Sequence, residues 1–153
     1  VRSDPAGDVF DGTAIRTVNV RTREVRTLSE SRNGACCGVA TWHPRQPLAA
    51  FILGPEHPTP DWTYGPARRQ GVVVNADRPH EPRPLDARDL TPPFTAGALR
   101  GGTHVHVWNP AGDLVSFTYE DHVLATTPGG DANQRTVGVT LPGVPVAVPR
   151  THP

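Results

Sequence analysis

Residues 38–53, GVATWHPRQPLAAFIL, decide the fold because their pattern recurs as HVHVWNPAGDLVSFTY at residues 104–119. Both copies follow one template: an alternating strand, a tryptophan, one further residue, a proline, a turn and a second apolar strand. The two tryptophans, Trp42 and Trp108, lie 66 positions apart. Such a repeat predicts a fold built from successive copies of one antiparallel unit.

The rest of the chain has the composition of an all-β protein. Eighteen prolines and fifteen glycines interrupt the sequence so often that no useful length of helical periodicity survives. The short apolar segments between them are rich in β-branched and aromatic residues, which favours strands. Seven segments are predicted as strands: residues 13–20, 38–44, 47–53, 71–75, 103–108, 114–119 and 136–141.

Each copy of the repeat is followed by a polar insertion and a third strand, so we interpret the unit as a four-stranded antiparallel β-propeller blade. A strand, a turn and a short closing strand near the start of the chain match the later half of such a unit. The chain then divides into an incomplete blade at about 1–31, a whole blade at about 32–98 and most of a third at about 99–153. Because propellers have roughly four to eight blades, this fragment of about two and a half blades predicts a longer natural protein, with an open β assembly as the alternative.

Composition excludes several classes of function. Fifteen basic and fifteen acidic residues cancel and no basic stripe appears, so we expect no nucleic-acid partner. All the basic residues are arginine, which excludes lysine chemistry. No apolar run is long enough for a membrane span, so we expect no membrane partner. The adjacent Cys36 and Cys37 are interpreted as reduced thiols in a buried strand, which favours the cytoplasm over the periplasm.

Several segments carry a resemblance to known proteins: TVNVRTREVRTL, TWHP, FILGPEHPTPDWTY, RRQGVVV, RTVGVTLPGVPV and above all GGTHVHVWNPAGDLVSFTYEDH. They resemble a bacterial family of unknown function related to the TolB-type propellers and the oligogalacturonate lyases. The resemblance implies that the strands carrying Trp42 and Trp108 line a central channel. It also implies a divalent metal on the histidine pair, which falls on His104 and His106. The lyases have a glutamine where this chain has Gly101, which cannot coordinate through a side chain, and this departure counts against both the metal and the lyase activity.

Strand alternation places His104 and His106 on one face, about 7 Å apart, with Val105 and Val107 on the other. Two histidines could share one manganese, zinc or calcium ion, and His122 is the best third ligand. Glu120 and Asp121 are alternatives that harder cations would prefer. Two other interpretations stay open: hydrogen-bonding groups that line a channel, or direct contacts to an anionic ligand.

Further candidates for ligand binding flank these strands. The proline-rich loop at residues 51–64 is predicted to form a wall over the channel mouth or a cap packed by its own aromatic residues, with Glu56 and His57 as its polar contributors. Arginine forks suit carboxylates, so an acidic sugar or a peptide terminus could be clamped. The arginines in question are Arg68, Arg69 and Arg100, and Trp108 is the aromatic candidate.

Two functions follow from these patterns. The first is a TolB-like propeller that binds a small molecule, an acidic sugar or a protein at its channel. The alternative is a metal-dependent uronate lyase, in which the cation acidifies the carbon next to a carboxylate and a base then removes the proton by β-elimination. No nucleophile-elbow motif supports a serine hydrolase.

Overall fold

The computed structural model describes residues 11–131 and 134–149, and this part of the chain is all-β apart from one five-residue helix. The elements are β1 (Ala14–Val18), β2 (Val25–Glu30), β3 (Cys37–Trp42), β4 (Leu48–Leu53), β5 (Gln70–Asn75), β6 (Arg78–Pro84), β7 (Gly101–Trp108), β8 (Val115–Asp121), α1 (His122–Thr126) and β9 (Thr136–Thr140). The all-β class predicted from the sequence is confirmed. The first ten residues of the predicted incomplete blade lie outside the described residues.

The strands form three antiparallel sheets in which each strand pairs with its neighbour in chain order: β1-β2, β3-β4-β5-β6 and β7-β8-β9. All seven predicted segments coincide with strands, and β2 is the predicted short closing strand. β6 was not among the seven because it is largely exposed and contains three prolines, Pro79, Pro82 and Pro84. Such prolines are compatible with an edge strand, and β6 lies at the edge of its sheet.

The three sheets stack in layers, with the four-stranded sheet in the middle. On one of its faces Phe51 and Val74 are fully buried in a cluster with Ile15 and Leu28 of the first sheet. On its other face the backbone carbonyl of His106, in the third sheet, accepts a hydrogen bond from the Thr41 hydroxyl of β3 at 2.6 Å. Each large apolar side chain buried this way contributes about 1.5–3 kcal/mol, so stacking is a main source of stability.

The two tryptophans occupy equivalent positions, as the repeat predicts: each is the last residue of its strand and pairs with the start of the next. The residue that follows each tryptophan organises the hairpin turn through a side-chain acceptor. Asn109 Oδ1 accepts from the backbone N–H groups of residues 112–114, and His43 Nδ1 accepts from those of residues 45 and 46. His43 therefore carries its proton on Nε2, which donates to the Gly112 carbonyl of the neighbouring sheet at 3.0 Å.

A bulge recurs at the same place in the first strand of both repeats. Val39 has φ 53° and Val105 has φ 54°, and each lies three residues before its tryptophan. The ladder register shifts across both positions, in β7 between His104 and Val107. The bulge is thus part of the repeat, and it changes which side chains share a face.

Candidate functional site

His104 and His106 lie on opposite faces of β7, so the prediction that they share one face is wrong. His104 pairs with Thr118, whereas the ring of His106 lies 5.9 Å from that of Phe117, the preceding residue of β8 and so on the other face. Alternation of side chains holds only along an unbulged strand. The left-handed backbone at Val105 resets it here, and no glycine or asparagine in the sequence marks the position.

His106 is a core residue that fills the space above a glycine of the middle sheet. Only 1 % of its surface is exposed, and neither ring nitrogen has a hydrogen-bond partner within the described residues. A Cβ placed on Gly71 would lie 2.1 Å from its Nε2. Burial, with smaller contributions from the charges of His104 and Arg69, lowers the pKa of His106 to about 4. The ring is therefore neutral at physiological pH.

His122 lies just beyond the start of β7, as the hairpin geometry predicts, and its backbone N–H donates to the Arg100 carbonyl. Its ring meets the edge of Trp62 at 5.2 Å, and the Arg68 guanidinium lies 5.1 Å from the centre of the same indole. Burial and the charges of Arg68 and Arg88 lower the pKa of His122. The proline-rich loop that contains Trp62 thus packs directly on a predicted site residue.

The predicted metal ligands do not fit a shared ion. His104 and His106 face opposite ways, and His106 is enclosed between two sheets. Across residues 11–131 and 134–149, no three side chains of histidine, cysteine, aspartate or glutamate come together as a possible metal site. Binding of manganese, zinc or calcium by His104, His106 and His122 stays a prediction that this arrangement does not favour.

Arg69 is the most unusual polar group near these residues. It precedes β5, its side chain is only 9 % exposed, and its Nε has no hydrogen-bond partner in the described part of the chain. Its terminal nitrogens make two long contacts, 3.5 Å to the Tyr64 hydroxyl and 3.8 Å to Glu120 Oε1. Glu120 makes a much shorter contact with Arg135, whose Nε donates to the same Oε1 at 2.8 Å.

His104 lies in the electrostatic field of this cluster. Burial lowers its pKa first, followed by the charges of Arg69 and Arg135, while Glu120 opposes them. Two arginines facing one carboxylate leave a local excess of positive charge. We call Arg69, His104, Glu120 and Arg135 the Arg69 cluster.

Arg100 lies at the same end of the sheets but is already paired. Its Nε donates to Asp121 Oδ2 at 2.9 Å, and its guanidinium lies 5.2 Å from the ring centre of Phe94. Asp121 also accepts from the backbone N–H of Leu124 and so caps α1. This pair therefore holds the chain turn after β8 and has less capacity for a ligand than Arg69.

Three other predicted residues lie apart from the Arg69 cluster in the contacts they make. Glu56 accepts from the Ser31 hydroxyl at 2.8 Å, and the His57 backbone N–H donates to the Asn33 carbonyl, so both secure the loop against the start of the middle sheet. Trp108 lies at the hairpin end of β7, with its ring 4.6 Å from that of His43. The Trp108 Nε1 is buried and has no hydrogen-bond partner among the described residues.

Two residues of this region were not predicted. Arg135 lies 66 positions after Arg69, so alignment of the repeat could have identified it as an equivalent arginine before the third strand. Asp86 lies in the connection after β6 and accepts from the Thr103 hydroxyl at 2.7 Å and from the Gln70 amide at 3.1 Å. Burial raises the pKa of Asp86, and these two hydrogen bonds oppose part of that rise. Asp86 joins the second and third sheets, and no local sequence pattern indicates it.

An open groove of about 980 Å³ runs between the connection after β6 and the segment after β9. Asp86 and Arg88 supply charged groups to a lining that is otherwise rich in apolar side chains such as Phe117 and Val139. None of the site residues predicted from the sequence lines this groove. By its size alone, this groove would be the candidate site. Among its lining residues, however, no buried polar side chain lacks a hydrogen-bond partner. We therefore place the candidate site at Arg69.

The chain matches a known protein family. The model of a protein family of unknown function, DUF3748, matches residues 36–153. The chain belongs to this family. The DUF3748 chain is 45 % identical over 150 residues to the uncharacterized protein YidR of Escherichia coli strain K12, a match that covers 97 % of this chain and 35 % of YidR. It thus spans about a third of the length of that relative. No solved structure matches it significantly.

Within the described residues, no helix is long and apolar enough to cross a membrane.

Proposed function

We propose that this chain is part of a TolB-type β-propeller that acts as a binding module. The support is the stack of three sheets, each an antiparallel meander, with strand equivalences that follow the 66-residue repeat. β1 contacts β3 and β2 contacts β6, as the third and fourth strands of a preceding blade would. The proposal puts the blade boundaries near residues 31 and 98, in the connections between β2 and β3 and between β6 and β7.

The proposed ligand site is at the end of the sheets where the long connections lie. Residues 54–69, 85–100 and 122–135 all connect strands at this end, whereas the opposite end has short hairpin turns. Long connections on a rigid β scaffold are the usual place for binding groups. Arg68, Arg69, Glu120 and His122 all lie within or next to these connections.

Arg69 is the single observation that carries the proposal. A buried guanidinium loses hydration and needs acceptors in return, since an unpaired buried charge is costly. The two contacts of Arg69 are 3.5 and 3.8 Å long, beyond the usual range of a charge-assisted hydrogen bond. A ligand carboxylate would supply the missing acceptors in the bidentate geometry that arginine prefers. An acidic sugar, another small carboxylate or an acidic group of a protein partner fits this chemistry.

The lyase alternative requires the same class of acidic sugar together with a metal and a base. No contact in the described residues favours it over binding alone. Absorbance of an unsaturated uronate product, measured with oligogalacturonate and manganese, separates the two functions.

The proposal is tested by calorimetric titration with D-galacturonate and its neutral counterpart D-galactose. We expect the acidic sugar alone to bind and Arg69→Met to weaken its binding at least about tenfold, because one charge-assisted contact contributes roughly 1.5–3 kcal/mol. Arg26→Met removes an exposed arginine of the first sheet and should leave affinity unchanged. Equal binding of both sugars, or full affinity in Arg69→Met, would refute the proposal.

A further inference from the structure

We infer that Glu120 is an internal competitor for the acidic ligand: its carboxylate lies at the side of Arg69 where a ligand's carboxylate would bind. This inference rests on the proposed function, because it concerns the same site. It adds a residue that sets affinity and selects against weakly bound anions.

The contacts of Glu120 define this role. Its Oε1 accepts from Arg135 Nε at 2.8 Å but stays 3.8 Å from the nearest nitrogen of Arg69. The Glu120 side chain is 17 % exposed, and that of Arg135 is 55 % exposed, so solvent reaches the cluster from the Arg135 side. Glu120 thus lies between Arg69 and the solvent-exposed side of the cluster, but it is too far away to supply Arg69 with a good hydrogen-bond acceptor.

An arriving carboxylate meets two opposing effects at this position. Arg69 attracts it and lacks good acceptors, whereas the charge of Glu120 repels it over a few ångströms. The ligand binds when Arg69 outweighs this repulsion, and the hydrogen bonds from Arg135 hold Glu120 on the outer side. A ligand with further contacts to the cluster overcomes the repulsion, while a simple anion does not.

The position of Arg135 in this arrangement follows from the sequence repeat. It precedes β9 as Arg69 precedes β5, so the fold presents two equivalent arginines from adjacent sheets to one carboxylate. The exposed arginine holds Glu120 more closely than the buried one does. Removing Arg135 therefore frees Glu120 to turn towards Arg69.

The test is calorimetric titration of D-galacturonate against three variants. Glu120→Gln keeps the shape and removes the charge, so we expect affinity to rise roughly tenfold, the scale of a typical coupling between neighbouring groups. Arg135→Gln should weaken binding, because Glu120 then pairs with Arg69. Glu24→Gln, at a carboxylate just before β2 that is hydrogen-bonded to Arg26 instead, serves as the matched control and should bind like the unmodified protein.

The outcomes separate this inference from the proposed function. Unchanged or weaker binding by Glu120→Gln overturns the inference, whereas loss of binding in Arg69→Met still upholds the proposed function. Absence of binding by the unmodified protein refutes the proposed function and with it the inference, even if Glu120→Gln binds. If neither protein binds the sugar, both fail. Circular dichroism of each variant establishes that the sheets have formed.

Discussion

Replacement of Gly71 by alanine should destabilise the stack of sheets, because the added methyl group meets the His106 ring. The new Cβ would lie 2.1 Å from Nε2 and 2.6 Å from Cε1, far inside van der Waals contact. The ring cannot move away easily, since it is buried next to Phe117 and the backbone carbonyl of His106 accepts a hydrogen bond from the Thr41 hydroxyl. Overpacking of this kind costs about 1–3 kcal/mol, reduced by a smaller gain from a stiffer unfolded chain. A fall in Tm of roughly 2–4 °C per kcal/mol follows for a chain of this size.

Thermal unfolding of four variants tests the explanation. Gly65→Ala is the matched control, because its Cβ would meet only one carbonyl oxygen, at 4.0 Å. His106→Ala opens a cavity and is itself destabilising, but it should remove the clash when combined with Gly71→Ala. The double variant should therefore be more stable than the sum of the single effects by about 1 kcal/mol or more. Additive effects, or a Gly71→Ala protein that melts like the unmodified one, would refute the packing of His106 on Gly71.

Two further predictions concern acid stability and self-association. A histidine in the unfolded chain takes up a proton near pH 6.5, whereas His106 in the folded protein has a pKa of about 4. Between these two pH values the unfolded state binds more protons than the folded state. The free energy of unfolding therefore falls as the pH falls through this window, by up to about 3 kcal/mol. Denaturant titrations from pH 7 to 4 should show this loss, and His106→Gln should reduce the slope; an identical slope in that variant would contradict it. Val137 and Val139 are 76 % and 60 % exposed on the third sheet, so the 153-residue chain should self-associate, and replacement of both by threonine should reduce this in light scattering. If the unmodified chain is monomeric, the prediction that this exposed sheet face causes self-association is wrong.

The strands could be predicted from the sequence because the signals are local and repeated. Apolar segments between prolines and glycines mark seven of them, and the tryptophan template aligns the first two strands of each repeat. β6 could not be found in this way, since its side chains are mostly exposed and its sequence, RPHEPRP, has no alternating apolar pattern. Its place follows only from the sheet that it completes.

The candidate site was predictable in part. The proline-rich loop and the affinity of arginine for carboxylates indicated Arg68 and Arg69, but the burial of Arg69 depends on how adjacent sheets pack, which no short motif encodes. The histidine pair failed as a shared-face prediction because one left-handed valine, Val105, interrupts the alternation. Valine rarely adopts such a backbone, and the surrounding sheets impose it here.

The claim that these sheets are successive blades of a propeller is tested most directly by the crystal structure of a family member with the full length of YidR. The account predicts that further four-stranded antiparallel sheets continue the stack, that one of them covers the face carrying the equivalents of Val137 and Val139, and that the sheets close into a ring with the Arg69 cluster on the side of the long connections. A helical layer on that face, or an open solvent-exposed third sheet, would contradict it.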